Sequence, residues 1–275
     1  MSVKFSILLS IYHREDPRFL NVALESIWDH QILKPSEIVL VEDGNLTDEL
    51  YNVIAKWQEK LGDVLKVVPL ETNQGLGKAL NIGLQYCTHD IVARMDTDDI
   101  ATPDRFSKQL QAFLDNPELD IVGGQIREFE KEIGDIPYIR NLPLVHEDIF
   151  QFAKKRCPFN HPAVMYRKSA VIAAGGYQDD HLYEDYALWV RMLMNHAKTI
   201  NLPDVILNMR SGTAMFERRG GLSYAKSEYK VQTKFFKQGF LTFPEYAKNL
   251  IIRLPVRIMP NQVRGFIYKA FLRSK

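Results

Sequence analysis

The sequence predicts an α/β fold: a mainly parallel central sheet with flanking helices, followed by a C-terminal helical extension. Three observations carry this prediction. Short apolar runs at residues 5–11, 37–41, 65–70 and 91–93 alternate with stretches whose apolar residues fall three and four apart. The runs are continuously apolar rather than alternating, as in strands covered on both faces. Polar residues gather where the runs end, at Ser10 to Arg14, Glu42-Asp43 and Asp96 to Asp99, the edge where open α/β sheets bind ligands.

Taken in order, Phe5 to Ile11 is a buried strand, and Leu20, Ala23, Leu24, Ile27 and Trp28 form the inward stripe of a helix. Residues 37–41 form a second strand, closed by Glu42-Asp43-Gly44, and a helix from about Thr47 to Lys60 leads to the strand at 65–70. Leu76, Ala79, Leu80, Gly83 and Leu84 make one helical stripe before the strand at 91–93. Thr102-Pro103-Asp104 opens a helix through Phe106, Leu110 and Phe113, which Asn116-Pro117 ends before a strand at 121–124. The pattern is irregular from about 125 to 165. A helix with Leu188, Trp189, Met192 and Leu193 inward then follows Tyr183-Glu184-Asp185-Tyr186. The simplest division is a domain over 1–215 and a basic segment plus amphipathic extension over 216–275.

The 275 residues suffice for one large α/β domain, and the 46% hydrophobic and 25% charged fractions are ordinary for a globular chain. A net charge of +1 points to no nucleic-acid partner. Cys87 and Cys157 have neither metal-ligand spacing nor a disulfide framework, and read as idle thiols in a reducing compartment. The N-terminal apolar run is too short for a signal peptide or a membrane span, so cytoplasmic residence is expected.

Asp96-Thr97-Asp98-Asp99 is the most informative stretch. Three carboxylates this close repel one another and raise each other's pKa unless a cation sits among them. Mg2+ or Mn2+ would resolve the conflict while leaving positions open for phosphate oxygens; an acidic turn or helix cap is the bland alternative. Asn73-Gln74-Gly75-Leu76-Gly77-Lys78 is not a P-loop: its spacing is wrong, and Ala79 stands where a metal-binding hydroxyl is required.

Ser10-Ile11-Tyr12, Glu42-Asp43-Gly44, Asn73-x-Gly75, Asp96-Thr97-Asp98-Asp99 and Glu184-Asp185, in that order, resemble the family 2 glycosyltransferases over residues 3 to 215. Tyr183-Glu184-Asp185-Tyr186 and Arg218-Arg219-Gly220-Gly221 are similar to the enzymes that build O-antigen, capsule and amylovoran-type exopolysaccharide. The resemblance implies a Rossmann-like GT-A nucleotide-binding fold and metal-dependent, inverting transfer of a hexose, galactose first, from a UDP-sugar to a lipid-pyrophosphate-linked saccharide. It implies that Ser10, Ile11, Tyr12 and Asp43 hold the uracil, Asp96 lies near ribose and sugar, and Asp98 binds the metal. Asp185 becomes the general base, with an N-cap for a helix over 187–194 as its competing or added role. Glu184 and His161 are expected toward the acceptor, and Arg210 and Arg218 in or beside a Gly-rich lid that meets phosphate.

The tail from Tyr246 onward mixes seven cations, no acid and many apolar residues. It is expected to lie on the anionic inner face of a bacterial plasma membrane, or else to pack on the domain or mediate a homodimer. Two other readings compete: a sugar-phosphate nucleotidyltransferase, whose Gly-rich basic N-terminal signature is missing, and an inactive scaffold, which intact Asp96, Asp98 and Asp185 oppose.

Overall fold

A computed structural model describes residues 3–211 and 220–259. Strands β1 (Ser6–Ile11), β2 (Glu37–Glu42), β3 (Leu65–Pro69) and β4 (Ile91–Arg94) form one parallel block in the order β3-β2-β1-β4. The sheet continues through β8 (Met165–Arg167), β6 (Leu119–Phe129), β9 (Lys198–Arg210) and β5 (Ile100–Ala101), and β7 (Ile139–Arg140) pairs with β6. The long β6–β9 pair is also parallel, whereas β8 runs antiparallel to both neighbours and β5 to β9. The sheet is therefore mixed. Its antiparallel members come from the two-residue β5 and from the stretch after residue 125, whose pattern gave no strand.

Alternation within the strands explains why both faces are covered. Ile7, Leu9, Ile11, Ile38 and Leu40 point into one core, completed by α1 (Pro17–Ile27), α2 (Asp48–Leu61) and α4 (Arg105–Asp115). Leu8, Val39 and Val41 point into the other, with α3 (Leu76–Tyr86), α5 (His146–Ala153) and α7 (Glu184–Met194). Caps fix the helix starts: Asp16 accepts from Arg18 N–H with Pro17 in the first turn of α1, and Thr47 accepts from Leu50 N–H. The short α6 (Lys168–Ala173) follows β8.

The C-terminal helices share this second core. Val231 and Phe235 of α8 (Leu222–Lys237) are buried beside Tyr186, whose ring meets Phe235 at 5.0 Å. The last helix, α9 (Phe243–Ile258), starts with a capping box between Thr242 and Glu245 and packs along α8. No helix among the described residues is long and apolar enough to cross a membrane.

Candidate active site

The acid cluster is held where β4 ends. Arg94 N–H donates to Val164 O at 2.9 Å and Met95 N–H to Leu8 O at 3.1 Å, and buried Arg105 donates Nη2 to Arg94 O at 2.7 Å. The chain then turns, bringing carboxylate oxygens of Asp96, Asp98 and Asp99 within 4.8 Å of one another. Asp96 pairs with the buried Arg94 guanidinium at 2.5 Å. Asp99 Oδ1 accepts from Arg210 N–H at 2.8 Å, while its buried Oδ2 has no hydrogen-bond partner. Burial and then the Asp96 charge push Asp98 up to about 6; burial and then Asp98 and Asp96 push Asp99 well above the carboxylate range. Arg94 and Arg210 oppose these shifts without overcoming them. This donor set fits Mg2+ or Mn2+: hard oxygen ligands, one orphaned oxygen, and a crowding of negative charge that a dication relieves.

Ser10, Ile11 and Tyr12 lie at the end of β1, tied to the end of β2 by Asp43 N–H donating to Ile11 O at 2.7 Å. The Asp43 carboxylate accepts from Gln74 N–H at 2.6 Å and Gly75 N–H at 3.0 Å. Gly44, at φ 83°, permits the approach: a Cβ there would fall 2.7 Å from Asn73 N. Two motifs distant in sequence thus form one loop junction. Asp43 holds that junction, and with about four acceptor positions its carboxylate keeps capacity for a ring N–H.

A cavity of about 860 Å³ runs from Arg94 and Asp96, past His161, to Glu184 and Asp185. Helix α7 begins at Glu184, with Tyr183 at the N-cap and no side-chain capping bond. The expected capping role of Asp185 is therefore not found, because the helix starts three residues earlier than the apolar stripe indicated. Asp185 sits in the first turn, and Cys157 Sγ donates to its Oδ2 at 3.6 Å. Burial and the neighbouring Asp185 push the Cys157 thiol up, which keeps it a protonated donor. Sequence reasoning treated this cysteine as idle, and no spacing signal links it to Asp185.

Arg94 and Glu184 line the same cavity, and Arg94 Nε and Nη1 and Glu184 Oε2 are buried without hydrogen-bond partners. Such groups cost about 1–3 kcal/mol each, and three of them gathered in two residues beside one cavity mark it as polar. Burial also raises Glu184. His161 Nε2 meets Tyr177 Oη at 2.9 Å, and burial, then Arg94, hold its pKa well below the usual value, so the ring is neutral. Arg210 lies over Phe19 at 3.7 Å and Phe129 at 4.5 Å, with Nε donating to Asp98 O at 3.2 Å. Arg218 falls outside the described residues.

The fold defines a class first, that of the GT-A architecture. Solved structures sharing the fold include Staphylococcus aureus TarS 1-349 in complex with UDP-GlcNAc (TM-score 0.65, 20% identity, 98% of this chain and 77% of that one). A mannosyltransferase from Pyrobaculum calidifontis in complex with GDP-Man and Mn2+ is similar (TM-score 0.64, 18% identity, 98% and 75%). The family follows from the sequence. The glycosyl transferase family 2 description matches residues 6–175, more than half the chain, and the chain belongs to that family. It is 40% identical to an Escherichia coli UDP-Gal:alpha-D-GlcNAc-diphosphoundecaprenol beta-1,3-galactosyltransferase, over 98% of this chain and 97% of the relative. It is 44% identical to the amylovoran biosynthesis glycosyltransferase AmsE of Erwinia amylovora, over 96% and 98%.

Proposed function

We propose that this glycosyltransferase moves a hexose, galactose first, from a UDP-sugar to a lipid-diphosphate-linked saccharide during assembly of a bacterial surface polysaccharide. The observation that carries the reading is one cavity joining the edge of the acid cluster, at Asp96, to the carboxylate pair Glu184 and Asp185. The substrates in the name of the E. coli relative suggest the sugar and the lipid.

In this reading Ser10, Ile11, Tyr12 and Asp43 receive the uridine and Asp96 the ribose and donor sugar. Asp98, with Asp99 beside it, holds Mn2+ or Mg2+. The cation supplies neutralisation of the charge that develops on the departing diphosphate. Arg210 adds positive potential from behind the cluster, and Arg218 is assigned to the same phosphates. Asp185 takes the proton from the acceptor hydroxyl as that oxygen bonds to the anomeric carbon; the bond to UDP breaks on the opposite face, giving inversion. Cys157 orients the base by donating to Oδ2, the neutral His161 helps shape the acceptor wall, and Glu184 meets acceptor hydroxyls.

The apolar outer side of α9 is assigned to the anionic inner face of the plasma membrane, giving a peripheral protein. Flotation with anionic liposomes tests this, and a homodimer formed through the same face is the alternative outcome. The central experiment is a transfer assay with a panel of nucleotide sugars. UDP-galactose should be used in the presence of Mn2+, and Asp185→Asn should lower turnover about 10²–10⁴-fold while UDP binding persists. Undiminished turnover in that variant removes Asp185 as the base.

A further inference from the structure

Helix α9 turns most of its polar side chains inward. A surface helix ordinarily buries its apolar stripe. Here Glu245, Lys248, Asn249, Arg253 and Arg257, at helical spacings of three and four, line the cavity together with Ile252 and Val256. Leu250, Ile251, Leu254, Pro255 and Ile258 line a shallow outer groove, with Ile251 73% exposed. Opposite the inward stripe lies the turn Lys154-Lys155-Arg156 that follows α5, and all three residues line the same cavity.

This wall is built rather than incidental. Asn249 Nδ2 donates to Lys154 O at 2.8 Å and Arg253 Nη1 to Lys155 O at 2.5 Å, so α9 fixes the turn through its backbone. Arg253 is itself anchored on buried Glu228 at 2.6 Å. Among the described residues six cations (Lys154, Lys155, Arg156, Lys248, Arg253, Arg257) meet two acids there, Glu228 and Glu245. The same cavity carries Asp96, Glu184 and Asp185, with Arg94 paired to Asp96 and Arg140 also in the lining. One cavity thus joins a carboxylate pair to a wall where cations outnumber acids.

Resting on the transferase reading above, we infer that this cationic wall is a second phosphate subsite, in which Lys155 and Lys248, on a backbone that Arg253 braces, hold the diphosphate of the acceptor. The acceptor sugar then points its hydroxyl at Asp185, and the lipid leaves toward the apolar outer side of α9. A diphosphate suits this wall because each ammonium or guanidinium makes a charge-assisted bond to a phosphate oxygen. The donor's own phosphates belong at the acid cluster, so the two phosphate sites are separate.

The test uses three synthetic acceptors: α-N-acetylglucosamine joined to an alkyl chain through a diphosphate, a monophosphate or an ether. The wild-type enzyme should show a KM for the diphosphate at least tenfold below that for the ether. Lys155 and Lys248 are exposed, so Lys155→Gln with Lys248→Gln preserves the fold. That variant should raise the diphosphate KM about tenfold or more, lower kcat less, and bring the three acceptors together. Lys155→Arg with Lys248→Arg should restore the preference. Equal use of all three acceptors by wild type, or an unchanged preference in the glutamine variant, overturns the subsite alone. Transfer to none of them from any nucleotide sugar refutes the transferase reading, and the subsite falls with it.

Discussion

Two acidic centres in this protein, one wholly and one partly buried, carry opposite electrostatics. Glu228, wholly buried under α8 and α9, accepts from Tyr183 Oη at 2.5 Å, Arg253 Nε at 2.6 Å, Arg257 Nε at 3.1 Å and Gln232 Nε2 at 3.2 Å. Burial pushes its pKa up, yet Arg253 and Arg257 hold it below the usual glutamate value. At the end of β4 burial also dominates, but the nearest charges are other carboxylates, and Asp98 and Asp99 are raised. The first centre is closed: its charge is answered by the chain, and it pins α9 to the domain. The second is left open, with an orphaned Asp99 oxygen. Unanswered buried charge marks where a ligand of opposite sign belongs.

The largest expected effect lies at the closed centre. Glu228→Gln leaves two guanidinium groups without their carboxylate and should cost about 3–5 kcal/mol, lowering the unfolding midpoint by roughly 10 °C in calorimetry. Asp98→Asn should act the other way in metal-free buffer, stabilising by about 1–2 kcal/mol because a repelled, desolvated charge disappears. It should also abolish the rise in midpoint that Mn2+ gives the wild type. If both variants destabilise alike, the contrast between the centres is wrong.

Proton linkage sharpens the comparison. Asp98 titrates near 6 in the fold against 3.8 ordinarily. The fold therefore binds its proton more tightly than the unfolded chain does. The Asp98 contribution to stability is full below about pH 4 and is lost as pH rises through about 6. Stabilisation by Mn2+ runs in the opposite sense, because protons compete with the cation, and should fade between pH 7 and pH 5 in thermal unfolding. The smallest effect belongs to Cys157. Cys157→Ala removes a donor to the Asp185 carboxylate, so the acidic limb of the kcat/KM profile should move up by roughly half a pH unit.

The parallel block and its acid cluster were legible because their signals are local. A continuous apolar run names a strand covered on both faces, and three aspartates directly after it fall at the carboxyl edge whatever the rest of the chain does. The cavity side was legible only in part. Glu184-Asp185 stood out as a motif, but the start of α7 was hidden because Tyr183, at the N-cap, carries no capping signature. The Cys157 contact joins residues that only the folded chain brings together. The C-terminal cations were read as one solvent- or membrane-facing set. Arg253 and Arg257 instead turn inward, because helical periodicity divides a helix into faces without saying which one meets the core. That choice is made by Glu228, distant in sequence. Short β5 and β7 escaped because two residues give no period.

The most direct test of the central claim is calorimetric titration of UDP into the protein with and without Mn2+, alongside Asp98→Asn. The account predicts UDP binding that strengthens at least tenfold with Mn2+ in the wild type and shows no such gain in the variant. Equal affinity with and without the cation in the wild type, or a full gain in Asp98→Asn, would contradict it.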